Sequence, residues 1–142
     1  MTYATLTQLT DRYGLQMLVN LTDRAEEATG EIGAAVIDRA LADTDAFIDG
    51  FLAGRYALPL AETPPLLADL AQVIAVWKLH THQPDAKIEA DYKDARKTLE
   101  SIARGDVRLP VAGVEPAGTG GSGARITDRE RPFTEANLKG FI

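Results

Sequence analysis

Residues 38–67 read DRALADTDAFIDGFLAGRYALPLAETPPLL, and the fold class follows from how this stretch is punctuated. Starting just before it, at about Ala34, the residues Val36, Ile37, Ala40, Leu41, Thr44, Phe47, Ile48, Phe51 and Leu52 recur in steps of three and four. That period lays one stripe along an α-helix. Asp38, Arg39, Asp43, Asp45 and Asp49 fall on the other side, so the helix has one face for a core and one acidic face. Gly54 closes it. The connection from Arg55 to Pro65 is stiffened by Pro59, Pro64 and Pro65, each of which fixes its own φ and biases its predecessor towards an extended form. Thr63 is placed to cap the next helix, with Pro64 at its first position. The whole reads as a rigid elbow between two helices, which points to assembly rather than catalysis.

Outward from the elbow the helical reading continues. Pro64 to about Thr81 is apolar on nearly every side, with Leu66, Leu67, Leu70, Ala71, Val73, Ile74, Val76, Trp77 and Leu79. Such a helix belongs at the centre of a bundle or at a subunit contact. Asp85 to Arg104 carries Ile88, Tyr92, Ala95, Leu99 and Ile102 on one side and mixed charge on the other, and Gly105 supplies the stop. Val107 to Val111 reads as a short extended segment. Near the N-terminus, Thr5 or Thr7 caps a short helix containing Leu6 and Leu9, which Gly14 ends in a left-handed conformation. Leu15 to Leu21 forms a second short helix before Thr22 and Asp23, and the two are expected to pack as a lid on the longer ones. A polar loop leads on to Gly33.

The expected architecture is all-α, a small helical bundle of two short N-terminal helices and three longer ones over residues 1–111. Residues 112–142 hold too little apolar material for a core and read as a flexible linker and docking arm. Phe133, Leu138, Phe141 and Ile142 are the candidate anchors of that arm. An extended arm of this length spans on the order of 100 Å, enough to reach a neighbouring subunit.

Composition narrows the function classes. The chain has 142 residues, 45% of them hydrophobic, which suits one core and no second independent domain. A formal charge of -6 opposes sequence-independent nucleic-acid binding, which needs a basic surface to displace counterions from phosphates. Cysteine is absent, which removes disulfides and thiolate metal sites. The N-terminal MTYATLTQLTDRYG lacks the basic and apolar regions of a signal peptide. No apolar run reaches spanning length, since Leu66 to Leu79 is interrupted by Asp69, Gln72 and Lys78. A soluble protein made in the cytoplasm, with no membrane contact, is the expectation.

Few residues suggest chemistry. Gly118 to Gly123 spells G-x-G-x-x-G, but a dinucleotide site needs a strand before that pattern and a helix after it. Neither AGVEPA nor Arg125 to Arg131 supplies them, so the pattern reads as linker. His80 and His82, two apart on a helix, face away from each other and read as a polar helix end rather than a zinc site. Asp45 and Asp49 share a helical face, where a carboxylate pair serves acid–base work or a divalent ion only with further partners; a solvated face explains them equally well. Arg125, Arg129 and Arg131 alternate with Asp128 and Glu130, the pattern of a mixed, protein-contacting or solvated segment. With no nucleophile elbow and no phosphate-binding loop, the chain is expected to be no enzyme and to need no cofactor or metal.

Several blocks share one register: M-x-Y-A-T-x-x-x-L-x-x-R-Y-G from Met1, L-V-N-L-T-D-R from Leu18, the A-V-I-D-R-A-L-A-D run leading into the elbow, and Y-x-D-A-x-K-x-L-x-x-I-A-x-G from Tyr92 to Gly105. In these the chain resembles the Mu-like tailed-phage and prophage family over about residues 1–111, and N-L-K-G-F from Asn137 extends the likeness to the tail. The resemblance implies a helical head-to-tail connector, or adaptor, of the virion neck. It implies a homo-oligomeric ring, dodecameric, beneath the portal protein and above the next neck or tail-completion protein, with DNA passing through the lumen without sequence-specific binding. Asp38, Asp45 and Asp49 are then candidates to face that lumen, and the C-terminal anchors to dock on a neighbour. A tail terminator is the nearer rival, usually sheet-containing; a helical nucleic-acid-binding regulatory module is the more distant one.

Overall fold

The computed structural model describes residues 2–111. Its five helices are α1 (Leu6–Tyr13), α2 (Leu15–Thr22), α3 (Ala34–Leu52), α4 (Pro65–Leu79) and α5 (Ala86–Arg104), and no strand occurs among the described residues. The expected all-α bundle of two short and three longer helices is the observed one. The arm, with the Gly118–Gly123 pattern, the basic residues from Arg125 on and the anchors Phe133, Leu138, Phe141 and Ile142, lies outside the described residues.

α3, α4 and α5 pack against one another, while α1 lies on α4 and α2 on α3. The all-round apolarity of α4 is explained by its position in the middle. Leu67, Leu70, Ala71, Val73, Ile74, Ala75, Val76 and Leu79 are all buried, leaving Leu66 at the exposed start of the helix. α3 contributes Ile37, Ala40, Leu41, Thr44, Ile48 and Leu52 from its stripe, and α5 contributes Ile88, Ala95, Leu99 and Ile102. Each large apolar side chain so enclosed contributes about 1.5–3 kcal/mol relative to exposure. The two short helices add Leu9 and Leu18, both fully buried, so they close the core rather than merely cover it. The polar core residues are satisfied: Thr44 Oγ1 donates to Ala40 O, and Thr22 Oγ1 donates to Leu18 O while accepting from Gly33 N.

Several helix ends differ from the sequence reading for local reasons. Thr5 caps α1 in a reciprocal box with Gln8, one of the two expected choices. Gly14 has the positive φ of 89 that glycine tolerates, but its ψ of 149 lies outside the left-handed helical region, and it links α1 directly to α2. At α4, Thr63 makes no cap bond; Pro64 is the N-cap and Pro65 takes the first turn. A residue before proline is pushed out of the helical region, so Pro65 keeps Pro64 extended and delays the start by one residue. The helix also stops at Leu79, since His80 is extended with ψ 129. His80 and His82 therefore lie beyond the helix: His80 Nδ1 pairs with Val76 O at 2.7 Å, and His82 is exposed in the following loop. Val107 to Val111 joins no sheet; Leu109 instead inserts into the core.

Candidate functional site

The elbow is used for packing. After α3, Arg55 N and Tyr56 N both donate to Leu52 O, turning the chain towards the end of α5. Arg55 donates from Nε to Ala103 O at 3.4 Å and from its terminal nitrogen to Arg104 O at 3.1 Å. A helix end leaves its last carbonyls without partners, and a cation there also complements the helix dipole. α5 ends in a Schellman arrangement, with Gly105 at φ 86 and Asp106 N donating to Ser101 O. Beside it, buried Tyr56 accepts from Leu109 N through its hydroxyl at 3.0 Å. Arg55 and Tyr56 thus tie the end of α3 to the end of α5 and to the segment that leads out of the bundle. The Leu58–Pro59 peptide within the connection is cis.

The three candidate aspartates do not share one environment. Asp38 is exposed and makes no hydrogen bond or ion pair among the described residues. Asp45 and Asp49 are half-buried and hold the N-terminal segment: Tyr3 N donates to Asp45 Oδ1 at 2.9 Å, and the Tyr3 hydroxyl donates to Asp49 Oδ1. Partial burial pushes the Asp45 carboxyl above the ordinary carboxylate range, against the lowering effect of the Tyr3 amide. Burial and then the bond to Asp49 raise the Tyr3 phenol far above its usual value, so it stays a donor at every working pH. The periodicity of α3 identified these aspartates but not what covers them, because Tyr3 lies more than forty positions away in sequence. A raised phenol pKa gives stability that is complete below about pH 10 and lost as pH rises through the folded-state value. Tyr3→Phe is expected to cost about 1–3 kcal/mol at neutral pH and to flatten the alkaline limb of the stability profile. Urea unfolding across a pH series checks it; an unchanged profile removes the bond from the account.

One flank of the bundle carries half-buried aromatics. Trp77 stacks on Tyr92 at 3.9 Å and 7°, Phe47 meets Phe51 edge-on at 5.2 Å, and Lys78 Nζ lies 5.2 Å from the Phe47 ring centroid. These contacts join α3, α4 and α5, and such aromatic pairs contribute about 0.5–1.5 kcal/mol beyond the area they bury. No group of three His, Asp or Glu with metal-holding geometry occurs among the described residues. No described helix is long and apolar enough to cross a membrane.

Comparison with known proteins agrees with the register of motifs. A family model described as Bacteriophage Mu, Gp36 matches residues 3–127. The chain is 37% identical over 142 residues to Gene product J of Escherichia phage Mu, covering 100% of each chain. It is 29% identical over 140 residues to the Mu-like prophage FluMu protein gp36 of Haemophilus influenzae, covering 99% of this chain and 98% of that one. With the family model matched along most of its length, and the blocks from Tyr3 to Gly105 forming the helices, elbow and caps described above, the chain belongs to the bacteriophage Mu Gp36 family of phage and prophage proteins.

Proposed function

We propose that this protein is a structural component of the virion, a non-catalytic head-to-tail connector that forms a ring below the portal and lets DNA pass. The observation that carries this reading is the use of the elbow. Its Arg55 and Tyr56 are spent on fixing helix ends, so the most characteristic stretch of the chain serves rigidity. What remains for work is the outer surface and residues 112–142. An all-α body favours the connector over a tail terminator, and the charge of -6 disfavours a nucleic-acid-binding regulator. Exposed Asp38 is the lumen-facing candidate left free by the N-terminal segment; a carboxylate there repels phosphates and lets DNA slide.

Docking is assigned to Phe133, Leu138, Phe141 and Ile142, on a neighbouring subunit, the portal or the next neck protein. Deleting residues 125–142 is expected to leave the helical circular dichroism and the melting transition unchanged while phage stocks accumulate unjoined heads and tails. Infectious particles from the truncated protein overturn the docking role. An image of the particle neck that places this chain elsewhere overturns the connector role itself.

A further inference from the structure

Most basic side chains of the bundle already have carboxylates. Arg12, Lys87, Lys93, Arg96, Lys97 and Arg104 each lie within ion-pair distance of one. Arg24, Arg39 and Lys78 have none among the described residues, and all three line one cleft of about 440 Å³ between the first half of α3 and the last turn of α4. They come from three separate elements, so no helical repeat brings them together.

Two of the three cations are held in place without being neutralised. Arg24 donates to Leu21 O at 3.1 Å and to Leu79 O at 2.7 Å, bonds that fix the guanidinium but leave its charge. Lys78 rests over the Phe47 ring, and Arg39 is exposed. Asp43 is the one acidic residue of the lining, so three cations and one carboxylate give the cleft +2 in a chain of -6. Gathering like charges raises the energy of the free surface, and an anionic partner relieves it.

We propose that this cleft receives carboxylates from a second copy of this chain and so forms one half of the subunit contact in the ring, an inference that rests on the connector reading. Charge complementarity selects the occupant. The same chain has an acidic surplus on its surface: Glu26, Glu27, Glu31 and Glu62 are exposed, with no cation in ion-pair reach among the described residues. A nucleic-acid backbone, by contrast, brings continuous negative charge against Asp43 and the overall acidity.

Sedimentation velocity of the full chain, over a range of protein concentrations at low and high salt, tests this. Wild type is expected to self-associate at low salt and to dissociate as salt screens the contact. Arg39→Glu is expected to weaken association by about tenfold or more without changing the melting transition, since Arg39 is exposed. Lys93→Glu on α5 serves as a control expected to leave association intact. A monomeric wild type at low salt, or wild-type association by Arg39→Glu, overturns the inference. So does salt-dependent binding of duplex DNA that Arg39→Glu abolishes while wild type stays monomeric, which assigns the cleft to phosphate. A neck image showing the ring with this cleft turned to solvent rejects the contact and leaves the connector role standing; absence of the chain from the neck rejects the role.

Discussion

Ile74→Ala is expected to lower the unfolding free energy by about 2–5 kcal/mol, the range for deleting a buried branched side chain and leaving a cavity. Ile74 has no exposed surface and sits midway along α4, the helix that packs against both α3 and α5. The neighbours cannot collapse into the gap from one side without losing contacts on the other, so the cost should fall in the upper part of that range. A domain of this size has about 5–15 kcal/mol in total, so the variant loses a large share of its stability. Leu66→Ala is the contrast. Leu66 is on the same helix and equally apolar in sequence, but it is 37% exposed at the first turn, and its loss should stay near 1 kcal/mol or below. Urea midpoints at constant m-value measure both. Equal effects would mean that α4 is not the centre of the core.

The difference between those two leucine-like positions shows what the sequence alone conveyed. The three- and four-residue steps of α3 and α5 name the buried face because only one face is apolar, and Ile37, Ile48, Leu99 and Ile102 were legible for that reason. α4 is apolar all round, which pointed to the centre of a bundle or to a subunit contact but did not say that Leu66 would be left outside. Boundaries failed where a local rule overrode the pattern. Pro65 kept Pro64 out of the helix, and the extended backbone at His80 removed both histidines from it.

The working surfaces were legible only in part. Asp38, Asp45 and Asp49 were identified from the face they share, but their difference depends on Tyr3, which crosses back over Asp45 and Asp49 and leaves Asp38 open. Charge patterning in sequence finds pairs four apart, such as Lys87 with Asp91. It has no means of finding that Arg24, Arg39 and Lys78 converge, because the helical packing, not any spacing, brings them together. The anchors at Phe133, Leu138, Phe141 and Ile142 remain a reading of composition, since they lie beyond residue 111.

Gly105→Ala is expected to be destabilising through two separable effects at the joint between elbow and α5. Gly105 has φ 86, a left-handed conformation that costs a residue with a Cβ roughly 1–2 kcal/mol. A Cβ built there also lies 2.5 Å from the Arg55 guanidinium carbon. That group is the far end of a flexible side chain, so it moves aside and takes with it the bonds to Ala103 O and Arg104 O. Losing those charged hydrogen bonds adds about 1–3 kcal/mol. Arg55→Ala alone should cost only this second part. In the Arg55→Ala background, Gly105→Ala should fall back to the backbone cost, because the guanidinium is no longer there to be displaced. The two substitutions must therefore be less than additive in a double-mutant cycle, with a coupling of about 1–3 kcal/mol. Additive costs would mean that Gly105 is required for its backbone conformation alone and that the arginine cap tolerates a side chain beside it.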